Sequence, residues 1–374
     1  MSQISNQVTL IKIDYLSFLM KLIEFSHKAG DWEINNLVLG DVNLIVGENA
    51  VGKSKTVGAL NLFPSSITFG TFFTKLSYSY KVTFLLKNGS FLKYEMSFSE
   101  GAVKKEVLII DDYTLIYRDE KKAFIKSKKN DLETSIAPPS HELILKIRRD
   151  IVEFPEFECL ISWAESLHFF TFNSDRNYEP FEEDILNSFE TLNINQRSKI
   201  ISFCNKVGFN ILQISSYNKN NYQSKEKGIK FKEKSVKADI TYWDLSEGMR
   251  RAIRLIVFLE HQIEKSNGNI PTLIIDDLGE GLDYQKATNL GKYVFERCKE
   301  AGIQLIATSN DNFLMDVIDL EHWNILTRKG SKVSAINKTT HPKIFEDFMF
   351  TGLSNFSLLT SDYLNRKLKE LETV

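Results

Sequence analysis

The sequence predicts an α/β fold whose mixed β-sheet core carries an inserted lobe, and two observations predict it. Near both ends of the 374-residue chain, short apolar runs typical of buried strands alternate with helical patterns. Between them, alternating strand-like runs precede a helical segment, which predicts an inserted β-meander plus a helical lobe. The expected boundaries are 1–75 for the N-terminal half of the core, 76–228 for the insertion and 229–374 for the C-terminal half.

The N-terminal half is predicted to lead from strands into a helix. Residues 8–14 alternate apolar and polar side chains, and residues 32–39 resemble a second strand. Residues 42–46, VNLIV, are apolar except for Asn43, which is typical of a central strand covered on both faces. We expect a helix to begin at about Lys53.

The insertion begins with strand-like alternation over residues 81–125, where an Asn-Gly turn and charged pairs separate the runs and predict an antiparallel meander. From about residue 140 to 206 the pattern is helical. The lysine-rich residues 218–237 predict a mobile surface hairpin. In the C-terminal half, the pattern predicts helix, strand, helix, strand and a terminal hairpin over 245–265, 271–277, 284–300, 303–309 and 322–338.

The composition excludes several classes of protein. With 43% hydrophobic and 26% charged residues and a formal net charge of −2, the chain is globular in composition and has no overall bias toward nucleic acid or an anionic membrane. The N-terminus lacks the features of a signal peptide, and no apolar run approaches the ~20 residues of a membrane span. Cys159, Cys204 and Cys298 are widely separated, which indicates a reducing cytosol and no zinc site. We therefore expect a soluble, cytoplasmic protein.

One motif carries specific chemistry. Residues 47–54, GENAVGKS, fit the pattern G-x-x-x-x-G-K-[ST] and lie between an apolar strand and a helix. Gly47 and Gly52 would let the backbone turn its N–H groups toward phosphate oxygens at the helix N-terminus. Lys53 would reach the β- and γ-phosphates, and the hydroxyl of Ser54 would hold Mg²⁺. The other predicted nucleotide-binding residues of this loop are Glu48, Asn49, Ala50, Val51 and Lys55.

Two aspartates follow a later buried strand, in the segment TLIIDDLGEGLD at 272–283. Because parallel strands end at one edge of a sheet, we expect Asp276 and Asp277 beside the phosphate loop. Asp276 would complete the Mg²⁺ shell through water, and Asp277 would orient or deprotonate the attacking water. Without the upstream loop, a solvated Asp-Asp turn would explain the same pattern.

The segment LSEGMRR at 245–251 opens the predicted long helix. Ser246 fits an N-cap, and that role alone would explain the segment. Alternatively, Ser246, the backbone of Gly248 and the helix dipole form a second phosphate cradle. Since the chain already has one phosphate loop, this cradle would serve the nucleotide of another subunit.

These motifs, in this order, resemble the ATP-binding-cassette (ABC) ATPase superfamily, whose heads are P-loop NTPases. The resemblance covers residues 8–60 and 229–330. It is strongest to the SMC and RecF branch and to ATPases of bacterial anti-phage systems, such as the overcoming-lysogenization-defect (OLD) and PARIS types. It implies ATP and Mg²⁺ as cofactors and a homodimer or higher oligomer in which two chains sandwich two ATP molecules head to tail. Residues 245–248 would then act on the partner's nucleotide, and residues 281–283 would form the D-loop that couples the two sites.

The chain departs from this family at several positions of the predicted site, and one of them is Val51, where the family commonly has a small polar residue. Asp277 stands where the family usually has Glu, which is one methylene longer, and this predicts slow hydrolysis, with Glu280 as an alternative acid. The switch histidine that usually follows the 303–309 strand is absent. Asn310 aligns best with it and can still hydrogen-bond a γ-phosphate or water. The predicted catalytic residues are therefore Lys53, Asp277 and Asn310.

The size of the insertion indicates which members of the superfamily the chain resembles. About 190 residues separate Ser54 from Leu245, and they show no sustained heptads, so no coiled-coil arm is expected. The resemblance then implies a compact ATPase that switches a separately encoded effector, a nuclease or toxin, in prokaryotic anti-phage defence. Two alternatives stay open: a RecF-like DNA repair ATPase, and a nucleotide-dependent scaffold with little hydrolysis.

Local basic clusters would serve the DNA-binding alternative. They could make salt-sensitive phosphate contacts across a dimer, or they could simply be solvated faces. Asp175 and Arg176 would either flank the nucleotide or form a salt bridge. The basic clusters are Lys121–Lys129, Lys219–Lys237, and Arg250, Arg251 and Arg254 on the predicted long helix.

Overall fold

The structure, a computed structural model, describes residues 20–69, 76–172, 182–218, 227–265 and 272–372. The predicted strand at 8–14 and the pair Asp175 and Arg176 lie outside these ranges. The strands are β1 Met20–Ala29, β2 Trp32–Val38, β3 Val42–Val46, β4 Tyr78–Leu86, β5 Phe91–Ser99, β6 Ala102–Ile110, β7 Tyr113–Arg118, β8 Ala123–Lys126, β9 Glu133–Ser135, β10 His168–Thr171, β11 Ile211–Asn218, β12 Lys227–Glu233, β13 Ile240–Thr241, β14 Thr272–Asp276, β15 Gln304–Thr308, β16 Trp323–Lys329 and β17 Lys332–Ile336. The helices are α1 Lys53–Thr68, α2 Ile144–Ile147, α3 Pro155–Ser166, α4 Glu182–Thr191, α5 Ile194–Val207, α6 Glu247–Lys265, α7 Tyr284–Ala301, α8 Asn312–Val317, α9 Pro342–Met349, α10 Ser357–Thr360 and α11 Tyr363–Glu372.

Fourteen of the described strands form one mixed sheet, in the order β10-β14-β15-β3-β16-β17-β2-β1-β4-β5-β6-β7-β8-β9. The first five of these pair in parallel, and β17 joins them to β2. From β2 to β9 every pair is antiparallel. The meander β4–β9 thus continues the core sheet through the pairing of β1 with β4. This is the predicted α/β class with a mixed sheet and a β-meander.

Alternate side chains of the central strands point to opposite faces of the sheet and build two cores. On β3, Val42, Leu44 and Val46 belong to one apolar cluster and Ile45 to the other. Helices α1 and α3 contribute to the cluster of Ile45, and α5, α6 and α7 contribute to the opposite one. The strand is therefore covered on both faces, as its mostly apolar sequence predicts.

Most predicted elements are confirmed, including the strand at 42–46, the helix from Lys53, the meander and the long helix α6. One stretch of the predicted helical region is wrong: His168–Thr171 is β10, because this short apolar run pairs in parallel with the distant β14. The hairpin β16–β17 is confirmed but is not terminal, since α9, α10 and α11 follow it. Strands β11 and β12 form an antiparallel pair, and residues 219–226 between them lie outside the described ranges.

The sequence predicts cysteines in a reducing environment and no membrane span, and the structure describes the three cysteines. Cys159, Cys204 and Cys298 are buried free thiols. Burial raises the pKa of the Cys204 thiol to about 12. Within the described ranges, no helix combines the length and the apolar character that crossing a membrane requires.

A buried carboxylate holds the start of α2 against the meander. Glu106 on β6 accepts hydrogen bonds from the backbone N–H groups of Ile144, at 2.6 Å, and Leu145, at 3.0 Å. It also accepts one from the Tyr94 hydroxyl at 3.0 Å. The first N–H groups of a helix have no partner within the helix, so a side chain from another segment satisfies them here. Burial raises the pKa of Glu106 to about 6.

Glu106→Ala should lower the free energy of unfolding by about 3 kcal/mol, because it leaves three buried donors without an acceptor. The folded state holds the Glu106 proton more tightly than the unfolded state does. The contribution of this group to stability is therefore largest below pH 4.5 and diminishes as the pH rises to about 6. The difference between the wild type and Glu106→Ala should accordingly widen as the pH falls through this window.

Urea unfolding at pH 7 and pH 4.5 measures both effects. Glu95→Ala is the matched control, because Glu95 lies on the neighbouring strand in a half-exposed ion pair with Lys105. It should change stability by less than about 1 kcal/mol. Equal losses in the two variants would contradict the assigned role of Glu106.

Candidate functional site

Three parallel strands bring the predicted motifs to one edge of the sheet. β15 lies between β14 and β3 and pairs in parallel with both. The phosphate loop (residues 47–54) follows β3, Asp276 ends β14 with Asp277 directly after it, and Asn310 follows β15. Because the carboxyl ends of parallel strands meet at the same edge, these segments lie side by side.

The phosphate loop needs glycine at two positions for different reasons. A Cβ on Gly47 would lie 2.8 Å from the carbonyl oxygen of Leu326, so only glycine lets the loop pass this close to β16. Gly52 has a φ of 115°, a left-handed conformation, immediately before α1. Each of the two glycines thus lies where the backbone of the loop leaves no room for, or does not favour, a larger residue.

Lys53, the first residue of α1, lies inside the loop that precedes it. Its ammonium donates hydrogen bonds to the carbonyl oxygens of Gly47, at 2.7 Å, and Glu48, at 3.1 Å. Burial lowers the pKa of Lys53, and the negative charges of Asp277 and Asp276 counteract that effect. The loop thus surrounds one partly desolvated cation that faces two carboxylates.

The threonine at the end of β15 positions both aspartates. The Thr308 hydroxyl donates to Oδ1 of Asp276 at 2.7 Å and accepts from the backbone N–H of Asp277 at 2.8 Å. Both aspartates are buried, with 1% and 6% of their surface exposed. Asp277 has a φ of 57°, so the chain turns sharply as it leaves β14.

A cavity beside the loop collects most of the predicted residues. Asp277 and Asn310 line it together with the loop, and the amide of Asn310 donates to Oδ1 of Asp277 at 3.2 Å. Two of its lining residues, Trp32 and Arg328, have no counterpart among the predicted ones. The loop and helix residues that line it are Asn49, Ala50, Gly52, Lys53, Ser54 and Lys55.

Trp32 and Arg328 come from strands that are distant in sequence. Trp32 begins β2, and the ammonium of Lys55 lies 4.6 Å from the centre of its ring. Arg328 on β16 donates to the carbonyl oxygen of Ala50 at 3.1 Å. A single aromatic residue and a single basic residue carry no motif, so only the sheet order reveals that they lie beside the loop.

The signature segment (residues 245–248) lies at the N-terminus of α6 and does not contribute to the described lining of the cavity. The Ser246 hydroxyl accepts a hydrogen bond from the backbone N–H of Met249 at 3.3 Å, so the capping role is observed. Ser246 and Glu247 are exposed. The second role, a phosphate cradle for another subunit, stays a prediction.

Gly248 packs directly on the D-loop (residues 281–283). A Cβ on Gly248 would lie 2.7 Å from the carbonyl carbon of Gly281 and 3.1 Å from the side chain of Leu282. Real Cβ atoms do not approach backbone that closely, so a side chain here would push the two segments apart. The signature segment and the D-loop of one chain are therefore in backbone contact.

A buried arginine joins the signature helix to the aspartate strand. Arg251 donates to the carbonyl oxygen of Phe172 and to the carboxylate of Glu247. The backbone N–H of Phe172 donates in turn to the carbonyl oxygen of Asp276 at 2.9 Å. The start of α6 is thus connected to the end of β14 through one side chain and one backbone hydrogen bond.

Gly248→Ala should lower the free energy of unfolding by about 2 kcal/mol, because the added methyl group overpacks the contact with Gly281. Gly58→Ala is the matched control. Gly58 is also a helical glycine, but a Cβ there would meet no atom within 4 Å. It should be neutral or stabilising by up to about 1 kcal/mol. Urea unfolding measures both variants, and a Gly248→Ala protein as stable as the wild type would exclude the tight contact.

One solved structure shares the fold of the chain, and further solved structures match it less well. The chain is similar to a SmcHead bound to the C-winged helix domain of ScpA, with a TM-score of 0.53 and 11% identity over 86% of this chain and 99% of that chain. It also matches cbiO1 from Clostridium perfringens, part of the ABC transporter complex cbiONQ (TM-score 0.39, 16% identity, 94% and 99% covered). A third match is the recombination mediator protein RecF-ATPrS (TM-score 0.37, 16% identity, 85% and 98% covered).

No curated protein matches this chain, but a family model does. The family match and the fold confirm the predicted resemblance to ABC-type ATPases of the SMC, RecF and OLD-like branch. Residues 42–316, most of the chain, match the family described as "AAA domain, putative AbiEii toxin, Type IV TA system", and the chain belongs to this family.

Proposed function

We propose that the chain is a cytoplasmic ATPase whose copies dimerise around ATP and switch a partner effector. The observation that carries this proposal is the convergence of Lys53, Asp276, Asp277 and Asn310 beside the phosphate loop, at one edge of the sheet. A loop lysine and a strand-end acidic pair in this arrangement can position a triphosphate and its attacking water. Family membership supports the ATPase part of the proposal.

The loop side of the cavity suits the phosphates of ATP. The backbone N–H groups of the loop and the N-terminus of α1 favour negative charge. Lys53 would exchange its contacts with the carbonyl oxygens of Gly47 and Glu48 for contacts with the β- and γ-phosphates. The triphosphate would then lie between this cation and Asp277.

Ser54, which lines this cavity, and the buried Asp276, which precedes the lining residue Asp277, form a donor set that fits Mg²⁺. The Ser54 hydroxyl and the Asp276 carboxylate are hard oxygen ligands, and Thr308 holds that carboxylate in place. These two residues would hold the ion, which when bound would neutralise negative charge on the phosphates.

Asp277 and Asn310 would act on the water. Asp277 would orient the water toward the γ-phosphorus and accept its proton, while the bond from the γ-phosphorus to the bridging oxygen breaks and ADP leaves. The Asn310 amide would keep the carboxylate aligned. The Asp277 carboxylate is one methylene shorter than the usual Glu, so hydrolysis should be slow. If it is negligible, the protein acts instead as a nucleotide-dependent scaffold, and single-turnover kinetics separate these two functions.

A second copy would complete each site. Ser246 is exposed immediately before α6, Gly248 lies two residues later and is buried against the D-loop, and neither residue belongs to the described lining of its own chain's cavity. In a head-to-tail homodimer each helix tip would meet the γ-phosphate held by the other chain, and the two sites would be related by twofold symmetry. Higher oligomers could be built from such dimers.

The effector is proposed to be a separately encoded nuclease or toxin in prokaryotic anti-phage defence. The family description, which names a putative toxin and a type IV toxin–antitoxin system, supports a role of this kind. The neighbouring gene distinguishes the possibilities. A nuclease or toxin gene would support the effector, and a replication gene would support RecF-like repair.

DNA binding is the weaker alternative, because several described lysines of the basic clusters already have acidic or aromatic partners. Lys126 pairs with Asp131 at 2.6 Å, and Lys230 pairs with Asp239 at 2.6 Å. Lys122 lies over the rings of Tyr117 and Phe124. These contacts favour a solvated face over a phosphate-binding groove.

Lys53→Ala should weaken ATP binding about 100-fold, because it removes the buried cation that faces the phosphates. Isothermal titration with ATP and Mg²⁺ measures the loss. Lys299→Ala, at an exposed lysine paired with Glu321, is the control and should bind ATP like the wild type. Binding by Lys53→Ala within threefold of the wild type would refute the assigned phosphate site.

Asp277→Asn should preserve ATP binding, lower the single-turnover rate about 100-fold and accumulate an ATP-bound dimer, because an amide cannot accept the proton. Asparagine tolerates the left-handed backbone at this position, so the turn after β14 is retained. Rapid-quench kinetics and light scattering measure the two effects.

Glu280→Gln is the matched control for the assignment of the acid. Glu280 lies in the same turn, where its backbone N–H donates to the carbonyl oxygen of Asp277 at 3.1 Å, and it is exposed. The Glu280→Gln variant should hydrolyse ATP at a rate near that of the wild type. Wild-type turnover by Asp277→Asn together with a slow Glu280→Gln would transfer the role of base to Glu280.

A further inference from the structure

Trp243 is an exposed indole immediately before the signature segment. It has 55% of its surface exposed, whereas Trp32, Trp163 and Trp323 have 6%, 6% and 0%. All four tryptophans of the sequence lie in the described ranges. An exposed tryptophan three residues before Ser246 lies on the face where the proposed dimer would meet the partner's nucleotide, and the proposed roles of Ser246 and Gly248 do not account for it.

The backbone around Trp243 is held in place. Residues 242–244 form a 3-10 turn, in which the Asp244 carboxylate accepts from the backbone N–H of Thr241 at 3.0 Å and from its hydroxyl at 2.6 Å. Arg250 donates to the carbonyl oxygen of Leu245 at 2.9 Å. The turn that carries the indole is therefore fixed from both ends.

The ring itself also has fixed neighbours. The Tyr242 ring lies edge-on to it, with centroids 5.3 Å apart and an interplanar angle of 81°. The guanidinium of Arg250 lies 5.6 Å from the centre of the Trp243 ring. A ring that is both exposed and positioned in advance loses little conformational entropy when it binds a flat partner.

The aromatic residue that lines the nucleotide cavity within a single chain is Trp32, and it is buried, unlike Trp243. Trp32 is almost fully buried, packs against Gly52 and has the Lys55 ammonium 4.6 Å from its ring centre. The other lining residues are polar, charged or small. Among the described residues of this cavity, the phosphates of ATP find partners but the base finds no exposed aromatic face.

We infer that Trp243 of one chain stacks on the base of the nucleotide held by the phosphate loop of the other chain. The inference rests on the proposed head-to-tail dimer and adds the residue that binds the nucleoside part of the ligand. Aromatic stacking accepts any base because every base has a π-face, so Trp243 would favour a nucleotide over a bare triphosphate without selecting adenine strictly.

The test compares variants in an Asp277→Asn background, which keeps ATP intact. The ATP concentration for half-maximal dimerisation is measured by sedimentation velocity. Trp243→Leu should raise this ATP concentration about tenfold, and Trp243→Phe should stay within about threefold of the parent. The control Phe350→Leu, at a residue that is 90% exposed, should leave this concentration unchanged. With ribose 5-triphosphate, which lacks a base, the effect of Trp243→Leu should disappear.

Acrylamide quenching provides a second measurement that needs no substitution at Trp243. Because the other tryptophans are buried, quenching in the parent protein reports mainly on Trp243, and ATP should protect it. If the dimer forms but Trp243→Leu needs no more ATP than the parent, the stacking inference is wrong and the proposed dimer stands. A Trp243→Leu effect that persists with ribose 5-triphosphate overturns it as well, since Trp243 would then contact protein. If ATP yields no dimer in the parent, the proposed function and the inference both fail.

Discussion

The geometry of the site depends on the two hydrogen bonds of the Thr308 hydroxyl. This hydroxyl at the end of β15 donates to the Asp276 carboxylate and accepts from the backbone N–H of Asp277. Strand β15 therefore determines how the chain leaves β14. The resulting left-handed turn at Asp277 favours a short polar side chain such as Asp at this position. Short polar side chains tolerate that backbone better than longer ones.

A second set of contacts links this turn to the signature segment of the same chain. Gly248 touches the D-loop at Gly281, and Arg251 reaches the carbonyl oxygen of Phe172, whose N–H binds the backbone of Asp276. In the proposed dimer, the helix tip and the indole that contact the partner's nucleotide are thus bonded to the acidic pair of their own chain. Such a connection gives two distant nucleotides a physical means of influencing each other.

Local patterns were enough to predict the strand at 42–46, the helix at Lys53, the meander and the meeting of the loop with the acidic pair, because each has a periodicity or a motif. They were not enough for β10, whose pairing with β14 is non-local. Trp32, Arg328 and Thr308 are single residues that acquire importance only through strand order. The contact of Gly248 with Gly281 likewise depends on tertiary packing, which spacing along the chain does not encode.

The continuity of the sheet has a consequence for any protein that binds the meander. Fourteen strands at about 4.8 Å spacing span roughly 60 Å measured across the ladder, and the phosphate loop follows the fourth of them. A ligand at β8 or β9 would sit tens of ångströms from the triphosphate, yet on the same uninterrupted hydrogen-bonded ribbon. Because neighbouring described strands of this ribbon are hydrogen-bonded to one another, a change of sheet twist at the meander would be passed along the ladder toward the loop.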